Sequence, residues 1–348
     1  MDISRREFIR RAVALGLSAA TAGTLFSLLS CSERETPATI TVPTPGPPPS
    51  APPIPAPTSD PQPSAPPVPA PSPTPSPEPG HPYMAVARGK SPTAMVQSAI
   101  KALGGIERFV KPGNDVIVKP NICVAYRSPE YAATTNPEVV GALVALCMGA
   151  GAKRVRVMDN PFGGDTKQAY MRSGIDEQVR TASGEMEVMS PIKYKEADIP
   201  QGLDITNWPV YSDVLNADVL INVPIAKHHS MARLTLGMKN LLGVVLQPNQ
   251  LHINLGQRIA DLTSLVRPAL TVVDGVRILM NRGPQGGNLD DVKQANIIIA
   301  SQDIVAADAY AATLFGLTGA DIPAIRAGAK MGLGTMDLSS IKIKEISV

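Results

Sequence analysis

Beyond Tyr83 the chain alternates short runs of β-branched residues with longer segments whose apolar positions recur at helical spacing, a pattern that predicts a parallel sheet with crossover helices. The predicted strands are Asp115 to Asn121 (DVIVKPN), Arg154 to Asn160 (RVRVMDN), Asp218 to Pro224 (DVLINVP), Leu270 to Gly275 (LTVVDG) and Asn296 to Ser301 (NIIIAS). The segment NPEVVGALVALCMGAGAKRV shows one strand–helix–strand unit. Asn136 is placed to cap the helix, Pro137 suits its first turn, where an amide hydrogen has no partner to lose, and Gly149 and Gly151 are placed to end it. The expected fold class is α/β, with a mainly parallel sheet and crossover helices in a single domain spanning 83–348.

Each predicted strand finishes on polar groups: Lys119 with Asn121, Asp159 with Asn160, Lys227 with His228 and His229 just past Pro224, then Asp274, and Ser301 with Asp303. One strand-terminal Asp or Asn ordinarily caps a turn or a helix. Five strand ends supplying Lys, Asn, Asp and His together are harder to explain by caps alone. In open parallel sheets ligands bind outside the carboxyl ends of the strands, where loops and helix N-termini converge. The candidate ligand- or cofactor-binding residues are therefore Lys119, Asn121, Asp159, Lys227, Lys239, Asn240 and Asp274.

The stretch LINVPIAKHHSMARLTLGMKNLLGVV, Leu220 to Val245, concentrates these groups. It reads as a buried strand ended by Pro224, a loop IAKHHSMAR on the ligand side, and a helix whose apolar face is Leu234, Met238, Leu241, Leu242 and Val245. Lys239 then falls at the margin of that face, about 100° from Met238, and Asn240 points away. A lone lysine there would only snorkel and a lone amide would be solvated. Beside Lys227 and two histidines, Lys239 becomes a candidate to hold a carboxylate or phosphate. Of the chain's four histidines, His228, His229 and His252 lie in or just after this stretch. His228 and His229 join Lys239 as catalytic candidates, and with His252 they are the candidate metal ligands. Their spacing matches no fixed metal motif. Adjacent histidines on an extended backbone point to opposite sides, so from a strand at most one would face the site.

The N-terminal 82 residues follow a different pattern. SRREFIR and the apolar, Ala/Gly/Ser/Thr-diluted run after it end at LLSC. These features resemble a twin-arginine export signal followed by a lipobox over residues 1–31, with Cys31 as the lipidated anchor. Residues 32–82 hold 20 prolines between Pro37 and Pro79 and few charges, so no core can form there. That segment reads as a disordered, polyproline-like stalk extending about 3.1 Å per residue. The expectation is a protein exported by the twin-arginine machinery and held to a membrane on its periplasmic or extracellular side.

Composition narrows the function classes. The 32 basic and 30 acidic residues nearly balance, and no basic block interleaved with aromatics follows the N-terminus, which argues against a nucleic-acid partner. Three scattered cysteines, Cys31, Cys123 and Cys147, are too few for a disulfide framework, a four-cysteine zinc site or an iron–sulfur cluster. Cys123, just after KPNI, reads as an inert buried thiol more than a reactive one. RGPQGGN, Arg282 to Asn288, could fold over the cleft, but its glycines match no phosphate-binding fingerprint. No nucleophile elbow of the serine hydrolases is present.

Seven blocks in order, VIVKPNI, TNPEVVGALVALCMGAGAKRVRVMDN, ADVLINVPIAKHHSMARLTLGMKNLLGVV, IADL, LTVVDG, GPQGG and IIASQDIVAADAYAATLFG, resemble the domain of unknown function 362 family. The resemblance implies a fold and no established reaction. Some relatives carry a ferredoxin-like cluster segment, whose cysteines this chain lacks. A fainter similarity is to the nickel-pincer lactate racemases, in which a histidine-containing loop precedes a Gly-rich segment ending in a cofactor-holding lysine. His228 or His229, Gly237 and Lys239 occupy comparable places, while Met238 and the sparse glycines depart from that pattern. The functional expectation is a strand-end cleft that binds a small anionic molecule or cofactor, of unassigned identity, with or without catalysis. The alternative is a non-catalytic solute-binding or envelope interaction protein.

Overall fold

The computed structural model describes residues 83–348; the expected signal, Cys31 and the Pro-rich stalk lie outside the described residues. Its strands are β1 (Met84–Arg88), β2 (Asp115–Pro120), β3 (Arg154–Val157), β4 (Glu185–Met186), β5 (Tyr194–Asp198), β6 (Asn207–Tyr211), β7 (Val219–Val223), β8 (Ile225–His229), β9 (Arg233–Thr235), β10 (Leu270–Leu279), β11 (Val292–Ser301) and β12 (Ile343–Ser347). The main sheet runs β12-β1-β11-β10-β7-β2-β3-β4, with β8 and β9 attached beside β10, and β5 and β6 form a separate antiparallel ribbon. From β10 through β7, β2 and β3 to β4 every neighbour is parallel, as expected for strands joined by crossover helices. The first unit forms as its sequence predicts. Asn136 accepts the amide hydrogen of Glu138 at 2.9 Å, Pro137 opens the helix Pro137–Gly149, and Gly151 turns the chain at φ 85°.

The strands are apolar on both faces because both are covered. Val116 and Val118 of β2 pack with the helices Pro92–Ala102, Pro137–Gly149 and Ile175–Thr181. Ile117 points the other way, into a core shared with the helices Leu255–Leu265, Ile304–Thr313 and Pro323–Lys330.

Along the run from β12 to β4, one strand departs from the parallel pattern. β11 is antiparallel to both β10 and β1, and its last residue, Ser301, pairs with Thr271 near the start of β10. Ser301 and Asp303 therefore lie at the opposite edge of the sheet from the other polar strand ends. There Asp303 accepts hydrogen bonds from the Tyr83 hydroxyl at 2.6 Å and from the Ala306 and Thr335 amides, both at 2.8 Å, so it caps the helix Ile304–Thr313.

The stretch 220–245 also differs from its prediction. Pro224 lacks an amide hydrogen and breaks the ladder, yet its carbonyl accepts from the Asp274 amide at 2.8 Å and the chain resumes in the same direction as β8. β7 and β8 thus pair in succession with one long partner, β10. The expected loop IAKHHSMAR is strand as far as His229, then a turn with Arg233 at φ 64°, then β9 paired back on β8. The expected helix is only the four residues Gly237–Asn240, followed by a 3₁₀ turn Leu241–Val244. Leu234, Met238, Leu241, Leu242 and Val245 are all buried in the core, so an irregular segment enclosed on every side satisfies the spacing that suggested one helix face.

Candidate functional site

At the carboxyl ends of β2, β3 and β7 the side chains join one buried network. Lys119 is fully buried, and its ammonium donates to Asp159 Oδ1 at 2.6 Å, the Pro120 carbonyl at 2.9 Å and Asn240 Oδ1 at 3.1 Å. That uses all three of its protons. The second oxygen of Asp159 accepts the Ile122 amide at 2.6 Å. Asn240 Oδ1 also accepts from Asn121 Nδ2 at 3.1 Å, while its own amide donates to the Lys119 carbonyl and to Asn222 Oδ1. Asn121 Oδ1 accepts in turn from Lys227 Nζ at 2.8 Å, and Lys227 also donates to the Ala133 carbonyl at 2.6 Å. A buried network whose members are all partnered holds its geometry, because any rotation leaves a desolvated group without a partner.

Gly243 shows how closely the backbone approaches this floor. A Cβ there would stand 2.2 Å from Asp159 Oδ1 and 2.6 Å from Lys119 Nζ. The short helix Gly237–Asn240 has no side-chain cap of its own; instead the carboxylate of Asp308 accepts the amides of Gly237 at 2.6 Å and Met238 at 2.9 Å. This fixes the start of the helix that carries Lys239 and Asn240.

Above the floor lies a cavity of about 410 Å³ lined, among others, by Asn121, Cys123, Asp159, Lys227, His229, Thr235, Lys239, Asn240 and His252, within the size range of small-molecule sites. Phe162 and Met231 also line it and are 59% and 60% exposed, so they form an apolar lip. Lys239 is half-buried, and burial, followed by the nearby Lys227, pushes it down to about 8. Burial, with Lys239 and Lys227 adding to it, pushes His229 down to about 3, so its ring is neutral at neutral pH. Its Nδ1 accepts from the amides of Met231 and Ala232, each at 3.2 Å, which places the ring proton on Nε2. The His252 ring stacks beside it with centroids 6.3 Å apart. His252 Nδ1 lies 3.0 Å from the Asn249 carbonyl, a contact only a protonated nitrogen can make, so a neutral His252 has its lone pair on Nε2. The cavity is thus lined by the N–H donor of His229 with the His252 ring beside it. Burial raises the Cys123 thiol against the pull of Lys227, so this cysteine stays protonated.

Asn121, Asp159, Lys227, His229, Lys239, Asn240 and His252 therefore converge, and three other candidates do not line the cavity. Lys119 lies beneath the floor. Asp274 is fully buried within the fold, where it accepts the amides of Asn136 at 2.7 Å and Val276 at 2.9 Å; it joins β10 to the helix Pro137–Gly149. His228 points to the other side of β8, as alternation on a strand requires, and its Nδ1 accepts the Gly283 amide at 3.2 Å. Of the two adjacent histidines, His229 is the one that shares the cavity with His252. Among the described residues no group of three or more His, Cys, Asp or Glu side chains is placed to hold a metal ion. Asn240, a binding candidate placed by helix geometry on the face away from Met238, is buried at the centre of the network.

Three contributors were not singled out from the sequence. Asn222 interrupts the apolar strand VLINV and donates to the Gly237 carbonyl at 3.0 Å; Asp308 interrupts the apolar helix IVAADAYAAT. A polar residue inside an otherwise apolar buried element is the signal that would have found both. Thr235 is the third: its hydroxyl is buried in the cavity wall without a hydrogen-bond partner.

Comparison with known proteins follows the same segment. The family model described as Domain of unknown function (DUF362) matches residues 116–313, more than half of the chain. A relative, the thylakoid-associated protein sll1697 of Synechocystis sp. (strain ATCC 27184 / PCC 6803 / Kazusa), is 28% identical over 255 residues, which cover 69% of this chain and 75% of that protein. Among solved structures, the lactate racemase apoprotein from Thermoanaerobacterium thermosaccharolyticum aligns with a TM-score of 0.40 at 12% identity. That alignment covers 63% of this chain and 54% of the racemase chain, about half its length.

Proposed function

We propose, for a chain that belongs to the domain of unknown function 362 family, that the cavity above the Lys119–Asp159 floor binds a small anionic ligand or cofactor and supports chemistry on it. The observation that carries this reading is the state of Lys239. Lys119 and Lys227 are occupied with protein oxygens, whereas among the described residues no hydrogen bond holds the Lys239 amine, which lines the cavity. A half-buried amine without a protein acceptor is suited to an acceptor that arrives with the ligand. The donor on His229 and the lone pair on His252 suit proton transfer, which favours chemistry over simple solute binding.

The test begins with native mass spectrometry of protein purified through its own export route, which identifies the bound molecule. Lys239→Met is then expected to weaken that molecule's binding about tenfold or more, since a charge-assisted bond contributes roughly 1.5 to 3 kcal/mol. His229→Asn is expected to weaken binding or turnover well beyond His228→Asn, measured by titration calorimetry. Equal binding by wild type and both histidine variants would remove the cavity from consideration. A ligand that is bound and always recovered unchanged would favour a solute-binding protein.

The reading extends to the cell envelope, where the Arg5–Arg6 pair, the apolar run and Cys31 support twin-arginine export with lipid anchoring. Changing Arg5 and Arg6 to Lys is expected to leave precursor in the cytoplasm. Cys31→Ala is expected to yield exported protein without acylation, scored by fractionation and by mass. Normal export of the double-Lys chain would count against this route.

A further inference from the structure

An amine without a protein acceptor among the described residues stands in the cavity wall, and it points to more than charge neutralisation. Among the described residues the Lys239 amine has no hydrogen-bonded partner, and the one carboxylate lining the cavity, Asp159, already binds Lys119 and the Ile122 amide. An amine beside a second lysine, in apolar surroundings, is the environment that turns lysine from a cation into a nucleophile.

We propose that Lys239 Nζ forms an imine with the carbonyl carbon of a small anionic carbonyl compound, a 2-oxo acid or aldehyde acid, held in this cavity. The proposal rests on the anion-binding reading above and adds a covalent step to it. The nitrogen lone pair forms a bond to the carbonyl carbon, and the carbonyl π pair moves to oxygen. His252 Nε2 takes a proton from the attacking nitrogen and returns it to that oxygen, giving the carbinolamine. The same relay removes the second amine hydrogen as the C–O bond breaks and C=N forms. Both amine hydrogens leave in one molecule of water, and nothing is oxidised or reduced. Because burial and Lys227 push Lys239 down to about 8, roughly a tenth of it is free amine at pH 7, and most of it is above pH 8. His229 Nε2–H supplies a neutral donor for the substrate's oxygens.

The experiment treats the full chain with glyoxylate and borohydride, which reduces an imine to a stable secondary amine, and maps modified peptides by mass spectrometry. Binding of glycolate, an anion with no carbonyl, is measured in parallel by calorimetry. The expected result is one Nε-carboxymethyl group at Lys239, formed faster than at any exposed lysine, suppressed by glycolate and lost completely in Lys239→Arg. Its rate should rise with pH and level off above about pH 8. The groups lining the cavity with Lys239 that could alter that profile are Lys227, Cys123, Asp159, His229 and His252. If glycolate binds and labelling falls only on exposed lysines, the imine is overturned and anion binding stands. If Lys239 is labelled but glycolate does not bind, the imine stands and anion binding falls. If neither occurs, both fail. Folding of Lys239→Arg is checked by its thermal unfolding, and the peptide map of the wild-type chain decides the matter without that variant.

Discussion

Lys119→Met is expected to destabilise the folded chain by about 3 to 5 kcal/mol, the range for breaking a buried ion pair from one side. Lys119 is 0% exposed and Asp159 is 2% exposed, so the carboxylate left behind loses its contact cation where little water reaches it. Asn240 Oδ1 and the Pro120 carbonyl would lose a donor in the same step. A loss of that size is a large share of the roughly 5 to 15 kcal/mol that separates folded from unfolded states in ordinary domains. Urea unfolding followed by circular dichroism measures it, as a lower midpoint at an unchanged slope. The double variant Lys119→Met with Asp159→Asn removes the stranded charge yet keeps an acceptor for the Ile122 amide, and should recover part of the loss. If the single variant unfolds like wild type, the floor does not hold the site in place.

Lys239→Met is expected to have the opposite sign, raising stability at pH 7 by an amount on the order of 1 to 3 kcal/mol. The folded chain holds this amine at about 8, below its ordinary 10.5. Below pH 8 the ammonium is present in both states and costs more in the folded one. Between about pH 8 and 10.5 the folded state has released a proton that the unfolded state keeps, so wild-type stability rises with pH and the cost disappears. The gain from the methionine should therefore be full at pH 7, shrink through that window and vanish above it. Thermal unfolding of both proteins at pH 7 and pH 10 checks this. A difference independent of pH would mean that Lys239 carries no charge penalty. Stability gained where ligand binding is lost is the expected signature of a group kept for function.

The parts of this structure that could be read from the sequence are those fixed by local chemistry. The helix Pro137–Gly149 needed only Asn136, Pro137 and Gly151 to be placed, and the parallel strands were visible as uninterrupted apolar runs. β11 was visible as a strand, but its direction was not. Orientation is decided by which neighbour a strand finds, and that misplaced Ser301 and Asp303 at the site. The segment 220–245 misled for a different reason. Apolar residues at helical spacing are also what a short, irregular, fully enclosed segment requires, so a regular helix turns Asn240 away from the core, whereas it is the hub of the floor. The divergence of His228 and His229 was legible, because alternation along an extended backbone depends on no distant partner. Asp274 could not be distinguished from a site residue, because a buried carboxylate that accepts two backbone amides occupies the same kind of strand position.

The floor has a kinetic consequence. Its hydrogen bonds join residues far apart along the chain: Lys119 and Asn240 are separated by 121 positions, Lys227 and Asn121 by 106, and Ile122 and Asp159 by 37. Each closes a long loop, whose entropic cost must be met before the bond contributes anything. The helices, by contrast, close only local turns. The cavity therefore assembles late, once β2, β3, β7 and the Asp308-held turn have all docked, and a chain stalled short of that point has its secondary structure but no binding site.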